Sequence, residues 1–234
     1  MTSPLFPVHE AVRKSAGVLG IFGAGGHGRE IAWIAAEYGI PRGQLRFVVD
    51  PAFRQGEVVQ DIAVLTCEEF ACLYPGAPMV VAVGDPVARQ QVVGRLTKTG
   101  HVFPFLVSPR ALLSPSVRLA EGAIVFPGAI MTVNVSLGPH VHVNVNSSLS
   151  HDVSVGQFSS LSPGATVCGN VKIGCAVFLG AKACVVNGTQ GNPLEIGDEV
   201  FVAAGACVTH SVPAGARVAG VPARSFRLSE LPLC

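Results

Sequence analysis

A six-residue repeat governs nearly half of this 234-residue chain and sharply limits what it can fold into. From Val107 the hexads VSPRAL, LSPSVR, LAEGAI, VFPGAI, MTVNVS, LGPHVH, VNVNSS, LSHDVS, VGQFSS, LSPGAT, VCGNVK, IGCAVF, LGAKAC and VVNGTQ follow without a slip to Gln190. Five further residues intervene, and the frame resumes at Ile196 with IGDEVF, VAAGAC and VTHSVP. All seventeen first positions are Val, Leu, Ile or Met, and all seventeen fifth positions are Ala, Val, Ser or Thr. Neither the 3.6-residue period of a helix nor the two-residue period of a strand produces this pattern. A repeat of six is the signature of a parallel β-helix.

Three hexads make one triangular coil of 18 residues, so the repeat predicts five to six coils stacked about 4.8 Å apart. The first residue of each hexad fills the interior, and the fifth packs where space is tight. Glycines gather at the second position (138, 156, 174, 180, 197) and the fourth (122, 128, 164, 188, 205). Glycine accepts positive φ, so both positions are expected to mark bends, with the third position at the corner between them. Asn187 follows His151 by 36 residues at the same hexad position, which predicts one shared corner, about 10 Å apart. The segment 187–195 (NGTQGNPLE) is expected to protrude at that corner.

Residues 17–106 lack the repeat. VLGIFG (18–23), LRFVVD (45–50) and MVVAVG (79–84) read as strands. GREIAWIAAEYG (28–39), CEEFACLY (67–74) and PVARQQVVGRLTKTG (86–100) read as helices, the last opening on Pro and closing on Gly. The alternation predicts a small parallel α/β sheet of Rossmann-like character, too short for a two-halved dinucleotide fold. The expected organisation is an N-terminal extension (1–16), an α/β domain (17–106), a β-helix (107–213) and a C-terminal tail (214–234).

Composition narrows the function. A chain 49% hydrophobic and 13% charged is not disordered. Sixteen basic against fifteen acidic residues is too balanced for a grip on nucleic-acid backbone. No 18-residue apolar window predicts a membrane span, and the first 16 residues lack the apolar run of a signal peptide. Seven cysteines, none in CxxC, are expected to be small buried thiols of a cytoplasmic protein. The scarcity of charge leaves flat apolar faces on the prism, which predicts oligomerisation.

Two groups of residues carry chemistry. His151 occupies a third position and is expected to project from a corner, where an imidazole can act as a general base near neutral pH. Asp152 follows and can fix the ring's tautomer, but neighbours in a strand point to opposite faces, so the pair meets only if the backbone turns there. Gly23, Gly25 and Gly28 form GxGxxG between a strand and a helix, with Asp50 ending the next strand. That pattern fits a nucleotide site or plain strand–helix packing. His140 and His142 are expected at the surface. No further His follows His151 at short spacing, so no metal site is expected. Cys168 and Cys175 lack a His partner, and no GxSxG elbow provides a nucleophilic serine.

The hexads, with IFGAGGHGREI (21–31), FVVD (47–50), NVNSSLSHD (144–152), SPGATVCGNVKIG (162–174) and AGVPAR (219–224), resemble the bacterial sugar-nucleotide N-acetyltransferases, relatives of the sialic-acid O-acetyltransferases. The resemblance covers residues 17–227. It implies an α/β nucleotide-sugar domain followed by an all-β left-handed parallel β-helix that binds acetyl-CoA, in a homotrimer. It also implies direct acetyl transfer to a nucleotide-linked amino-sugar of the 4-amino-4,6-dideoxy class, with His151 as base beside Asp152. Asn144 would face the sugar or thioester. Backbone N–H groups of Gly23, Gly25, Gly26 and Gly28 would hold the diphosphate, with His27 as a further donor and Asp50 toward the base or ribose. Toward the cofactor stand Ser160 (where some relatives carry a second histidine), Gly169, Ala181, Gly205, Gly220, Val221 and Arg224, with the 187–195 loop beside the pantetheine. Three rivals remain: sugar O-acetylation, a non-catalytic β-helix scaffold, and a nucleotide-sugar oxidoreductase module.

Overall fold

In a computed structural model, residues 7–15 and 17–226 are described. The chain divides into two compact units, Met1–Pro109 with Ala120–Ile124, and Arg110–Leu119 with Val125–Cys234. The start of the repeat is thus shared between the units, rather than cut cleanly at 107.

The first unit opens with α1 (Val8–Lys14), which lies inside the expected extension and buries Val8, Ala11 and Val12. Then come β1 (Leu19–Phe22), α2 (Gly26–Glu37), β2 (Leu45–Val49), β3 (Val58–Val59), β4 (Ile62–Thr66), α3 (Cys67–Leu73), β5 (Met79–Val81) and α4 (Pro86–Leu96). The sheet order is β3-β4-β2-β1-β5; β4, β2, β1 and β5 run parallel, and β3 pairs antiparallel with β4. The β3–β4 hairpin was not expected. Its turn is made by Gln60 and Asp61 at positive φ, without the glycine that signals such turns in sequence. Two ends are fixed chemically. Thr66 and Glu69 form a capping box on α3, and Asp85 accepts from the Ala88 N–H above Pro86 on α4.

The second unit is a parallel β-helix. Face 1 stacks Leu112–Leu113, Ile130–Met131, Ser148–Leu149, Thr166–Val167, Cys184–Val185 and Cys207–Val208. Face 2 stacks Arg118–Leu119, Ser136–Leu137, Val153–Val155, Val171–Ile173 and Leu194–Ile196. Face 3 includes His142–Val143, Ser160–Leu161, Phe178–Leu179, Phe201–Val202 and Arg217–Ala219. First-position residues from Val125 to Val208 are buried, as the repeat requires.

The bends differ from expectation in one respect. From Gly122 to Lys182 every fourth hexad position has positive φ, including Asn134, His140, Asn146, Asp152, Phe158 and Asn170. The second-position glycines do not. A Cβ on Gly156 would lie 2.5 Å from the Gly174 carbonyl carbon and 2.7 Å from the Cys175 nitrogen. Those glycines serve close approach between coils rather than a left-handed turn.

The inserted residues also shift. Val171 pairs with Leu194, so buried Leu194 takes the fifth-position place assigned to Thr189, which is exposed. The protrusion is therefore 187–193, pinned by mutual Thr189–Asn192 backbone hydrogen bonds of 3.0 Å, and Leu194 and Glu195 already belong to face 2. The cysteines are less buried than expected. Cys67, Cys168, Cys175, Cys184 and Cys207 are half-buried and Cys72 is exposed, because most sit at positions that point outward; Cys234 lies outside the described residues.

Candidate active site

His151 and Asp152 form the corner between faces 1 and 2. Asp152 is at a fourth position with φ 58°, and this left-handed turn removes the objection that adjacent side chains must diverge. His151 Nδ1 lies 2.9 Å from Asp152 Oδ2, with both side chains about half exposed. The Asp152 carboxyl is held below the usual carboxylate range by its hydrogen bond with His151, then by the one donated from Asn134. An ionised Asp152 accepts from Nδ1–H and leaves Nε2 unprotonated, the form a general base needs.

Gly169 sits one coil on, at the same corner. A Cβ there would fall 2.5 Å from His151 Cε1 and 3.0 Å from Cδ2, and closer still to Nε2. The space that a side chain would take at Gly169 is occupied by the His151 ring. Asn187 shares this corner two coils from His151, as the register of Leu149, Val167 and Val185 requires.

The other β-helix residues lie elsewhere. Asn144 belongs to the corner between faces 3 and 1, where its Oδ1 accepts from the Val145 N–H at 2.7 Å, a local bend contact. Ala181 and Gly205 share that corner, since the Gly205 N–H donates to the Ala181 carbonyl at 2.8 Å. The Gly220 carbonyl accepts from the Cys207 N–H at 2.9 Å, which draws Gly220 and exposed Val221 toward the same edge, followed by exposed Arg224. Ser160 is in a face 3 strand and only 6% exposed, so nothing in one chain brings it beside His151. His140 and His142 are both 3% exposed, contrary to the surface placement expected; the His140 ring stacks on Phe158 at 5.2 Å.

In the first unit, the glycine loop separates by role. Gly23 has φ 107°, and a Cβ there would lie 3.0 Å from the Ala82 carbonyl oxygen; one on Gly28 would collide with the Gly23 carbonyl. Those two serve packing. Gly25, the N-cap of α2, and Gly26 are exposed, so the backbone at the start of the helix is open to solvent there. His27 is in that turn, 3.4 Å from Glu30 Oε2 through Nδ1, and burial depresses its pKa despite the carboxylate.

Beside the loop is a residue that sequence reading missed. The Arg89 guanidinium is fully buried and donates to the Val83 and Gly84 carbonyls at 2.6 and 3.1 Å. Burial lowers its pKa to about 9. Its helical spacing in α4 resembles that of any buried residue, and no motif marks it. Asp50 is paired with Arg95 at 2.8 Å and lies 3.5 Å from Cys67 Sγ, whose thiol is pushed up to about 11 by burial and by that carboxylate.

Residues 18–96 match the PglD N-terminal domain family. GDP-perosamine N-acetyltransferase of Escherichia coli O157:H7 is 35% identical over 217 residues, covering 90% of this chain and 96% of that protein. This chain belongs to the sugar-nucleotide N-acetyltransferase family. WeeI from Acinetobacter baumannii AYE superposes with a TM-score of 0.84 at 30% identity, covering 89% of this chain and 99% of WeeI. The acetyltransferase domain of PglB from Neisseria gonorrhoeae FA1090, solved also with acetyl coenzyme A, gives 0.80 at 31%, covering 89% and 98%. A perosamine N-acetyltransferase mutant from Caulobacter crescentus, solved with CoA and GDP-perosamine, gives 0.81 at 26%, covering 91% and 98%. The family member described here is an acyltransferase, and its fold is the expected α/β domain followed by a left-handed parallel β-helix.

Proposed function

We propose that this enzyme transfers the acetyl group of acetyl-CoA to the amino group of a nucleotide-linked 4-amino-4,6-dideoxy sugar, with His151 as general base. The observation that carries the assignment of the base is the His151–Asp152 pair at 2.9 Å on an open corner. The amine attacks the thioester carbonyl while Nε2 takes a proton from nitrogen. The tetrahedral intermediate then collapses, the carbon–sulfur bond breaks, and the imidazolium returns its proton to the leaving sulfur. No covalent acyl-enzyme is formed. In the first unit the diphosphate sits on the backbone N–H groups at Gly25 and Gly26, at the positive end of α2, with His27 as a further donor.

A homotrimer completes the site. The outward residues of face 1 include Leu112, Ile130, Ser148, Thr166, Cys184 and Cys207, and no charged side chain stands on it. Leu112 is 66% and Ile130 43% exposed. Asn144, Ala181 and Gly205 border one edge of this face and His151 the other. A neighbouring copy against it would supply one chain's CoA-binding edge to the other's base. Free cysteines and an acetyl-CoA donor support a cytoplasmic reaction.

The test is thiol release from acetyl-CoA with GDP-perosamine and with sialic acid as acceptors. Turnover is expected on the amino-sugar alone, with kcat lowered about 10²–10⁴-fold in His151→Asn. A folded His151→Asn enzyme with undiminished kcat removes His151 as the base, and turnover on sialic acid alone makes the protein an O-acetyltransferase.

A further inference from the structure

We infer that Asn134 is a positioning residue for the catalytic base, acting through Asp152; this rests on the reading of His151 as base. Asn134 occupies the fourth position of MTVNVS, one coil before Asp152, and both have φ 58°. Stacked bends send their side chains out of the corner together. Asn134 Nδ2 donates to Asp152 Oδ1 at 3.0 Å, while Oδ2 faces His151 Nδ1 at 2.9 Å. Each carboxylate oxygen therefore has its own partner, and the carboxylate cannot rotate without giving one up.

The backbone holds both residues in this arrangement. The Asp152 N–H donates to the Val133 carbonyl at 3.1 Å. The Asn134 N–H donates to Ser116 Oγ at 2.9 Å, one coil farther back, and that hydroxyl lies 3.1 Å from Ser114 Oγ. A polar column thus runs Ser116, Asn134, Asp152 along one corner and ends at the imidazole. An ionised carboxylate only accepts, so the amide must turn its NH₂ group toward it. The carboxamide orients Asp152 without a charge of its own. A lysine there would compete with the imidazolium for the carboxylate, and a second carboxylate would repel it.

The test compares Asn134→Gly, which keeps the left-handed bend unstrained, with Asp152→Asn, the double variant and His151→Asn, using GDP-perosamine and acetyl-CoA. Asn134→Gly is expected to lower kcat about tenfold, the lower range for one hydrogen bond to a charged group, with both KM values within about twofold. In the Asp152→Asn background the same substitution should cost nothing more. Undiminished kcat in Asn134→Gly, a change confined to KM, or losses that multiply in the double variant each overturn the role of Asn134. If His151→Asn is impaired while Asn134→Gly is not, only this inference fails. If His151→Asn is unimpaired, the base assignment fails and this inference with it.

Discussion

Gly169→Ala tests the geometry of the proposed base, His151, without touching a polar group. The added Cβ would stand 2.5 Å from His151 Cε1 and 3.0 Å from Cδ2. Carbon atoms settle about 3.5–4.0 Å apart, so the nearer contact is short by about 1 Å. The three nearest obstacles are all atoms of one half-exposed imidazole, and φ at Gly169 is not positive. The ring therefore gives way and the coil does not. Gly→Ala also removes unfolded-state freedom, about 0.4–1 kcal/mol in favour of the variant. Against the lost ring contacts, the melting temperature should stay within about 2–4 °C of the parent. Moving the imidazole by about 1 Å strains its bond to Asp152 and misdirects Nε2, and a misplacement of that size costs about 10²-fold in turnover. Thiol release at saturating acetyl-CoA and GDP-perosamine measures kcat, and differential scanning fluorimetry measures stability. The expected result is a stable enzyme with kcat down about 10²-fold, and no additional loss when Gly169→Ala is placed in His151→Asn. A stable variant with kcat within about threefold of the parent would refute the claim that His151 works from its place over Gly169.

The two glycine positions of the repeat should separate by melting. Gly156→Ala forces its Cβ against the backbone of the next coil and should cost about 2–4 kcal/mol, whereas Gly205→Ala meets nothing within 4 Å and should cost only the left-handed strain of about 1–2 kcal/mol; equal losses would dismiss the distinction. His27 predicts a pH dependence of stability. Its folded pKa lies below the usual 6.5, so the unfolded chain binds the proton first, and stability is lost as pH falls below about 6.5 toward the folded pKa. The melting temperature should therefore fall less between pH 7.5 and 5.5 in His27→Gln than in the parent, and parallel curves would reject burial of a neutral imidazole.

The β-helix was legible because its hexads encode burial directly: an interior residue every six leaves a signal that no other fold produces. The α/β unit was legible only where Gly or Pro punctuates the elements. The β3–β4 hairpin turned on Gln60 and Asp61, and α1, only seven residues long, is too short for a helical period to stand out despite Pro7 before it. His140 and His142 were misplaced because the hexad gives the direction of a side chain, not whether other residues cover it. Arg89 was missed because a buried guanidinium held by backbone carbonyls has no motif.

The site itself depends on a feature that the repeat carries silently. Taken as an extended strand, His151 and Asp152 diverge. The fourth-position bend turns the chain between them, and the same bend at Asn134 brings its amide to the carboxylate from one coil away. Asp and Asn tolerate the left-handed region better than most residues, so at such a corner the demands of the backbone and of the chemistry select the same side chains. Spacing of 18 from Asp152 is the sequence signal that would have found Asn134, since stacking makes residues one coil apart neighbours. A repeat of this kind can acquire a base and its support by substitution at bends alone, with the interior positions unchanged.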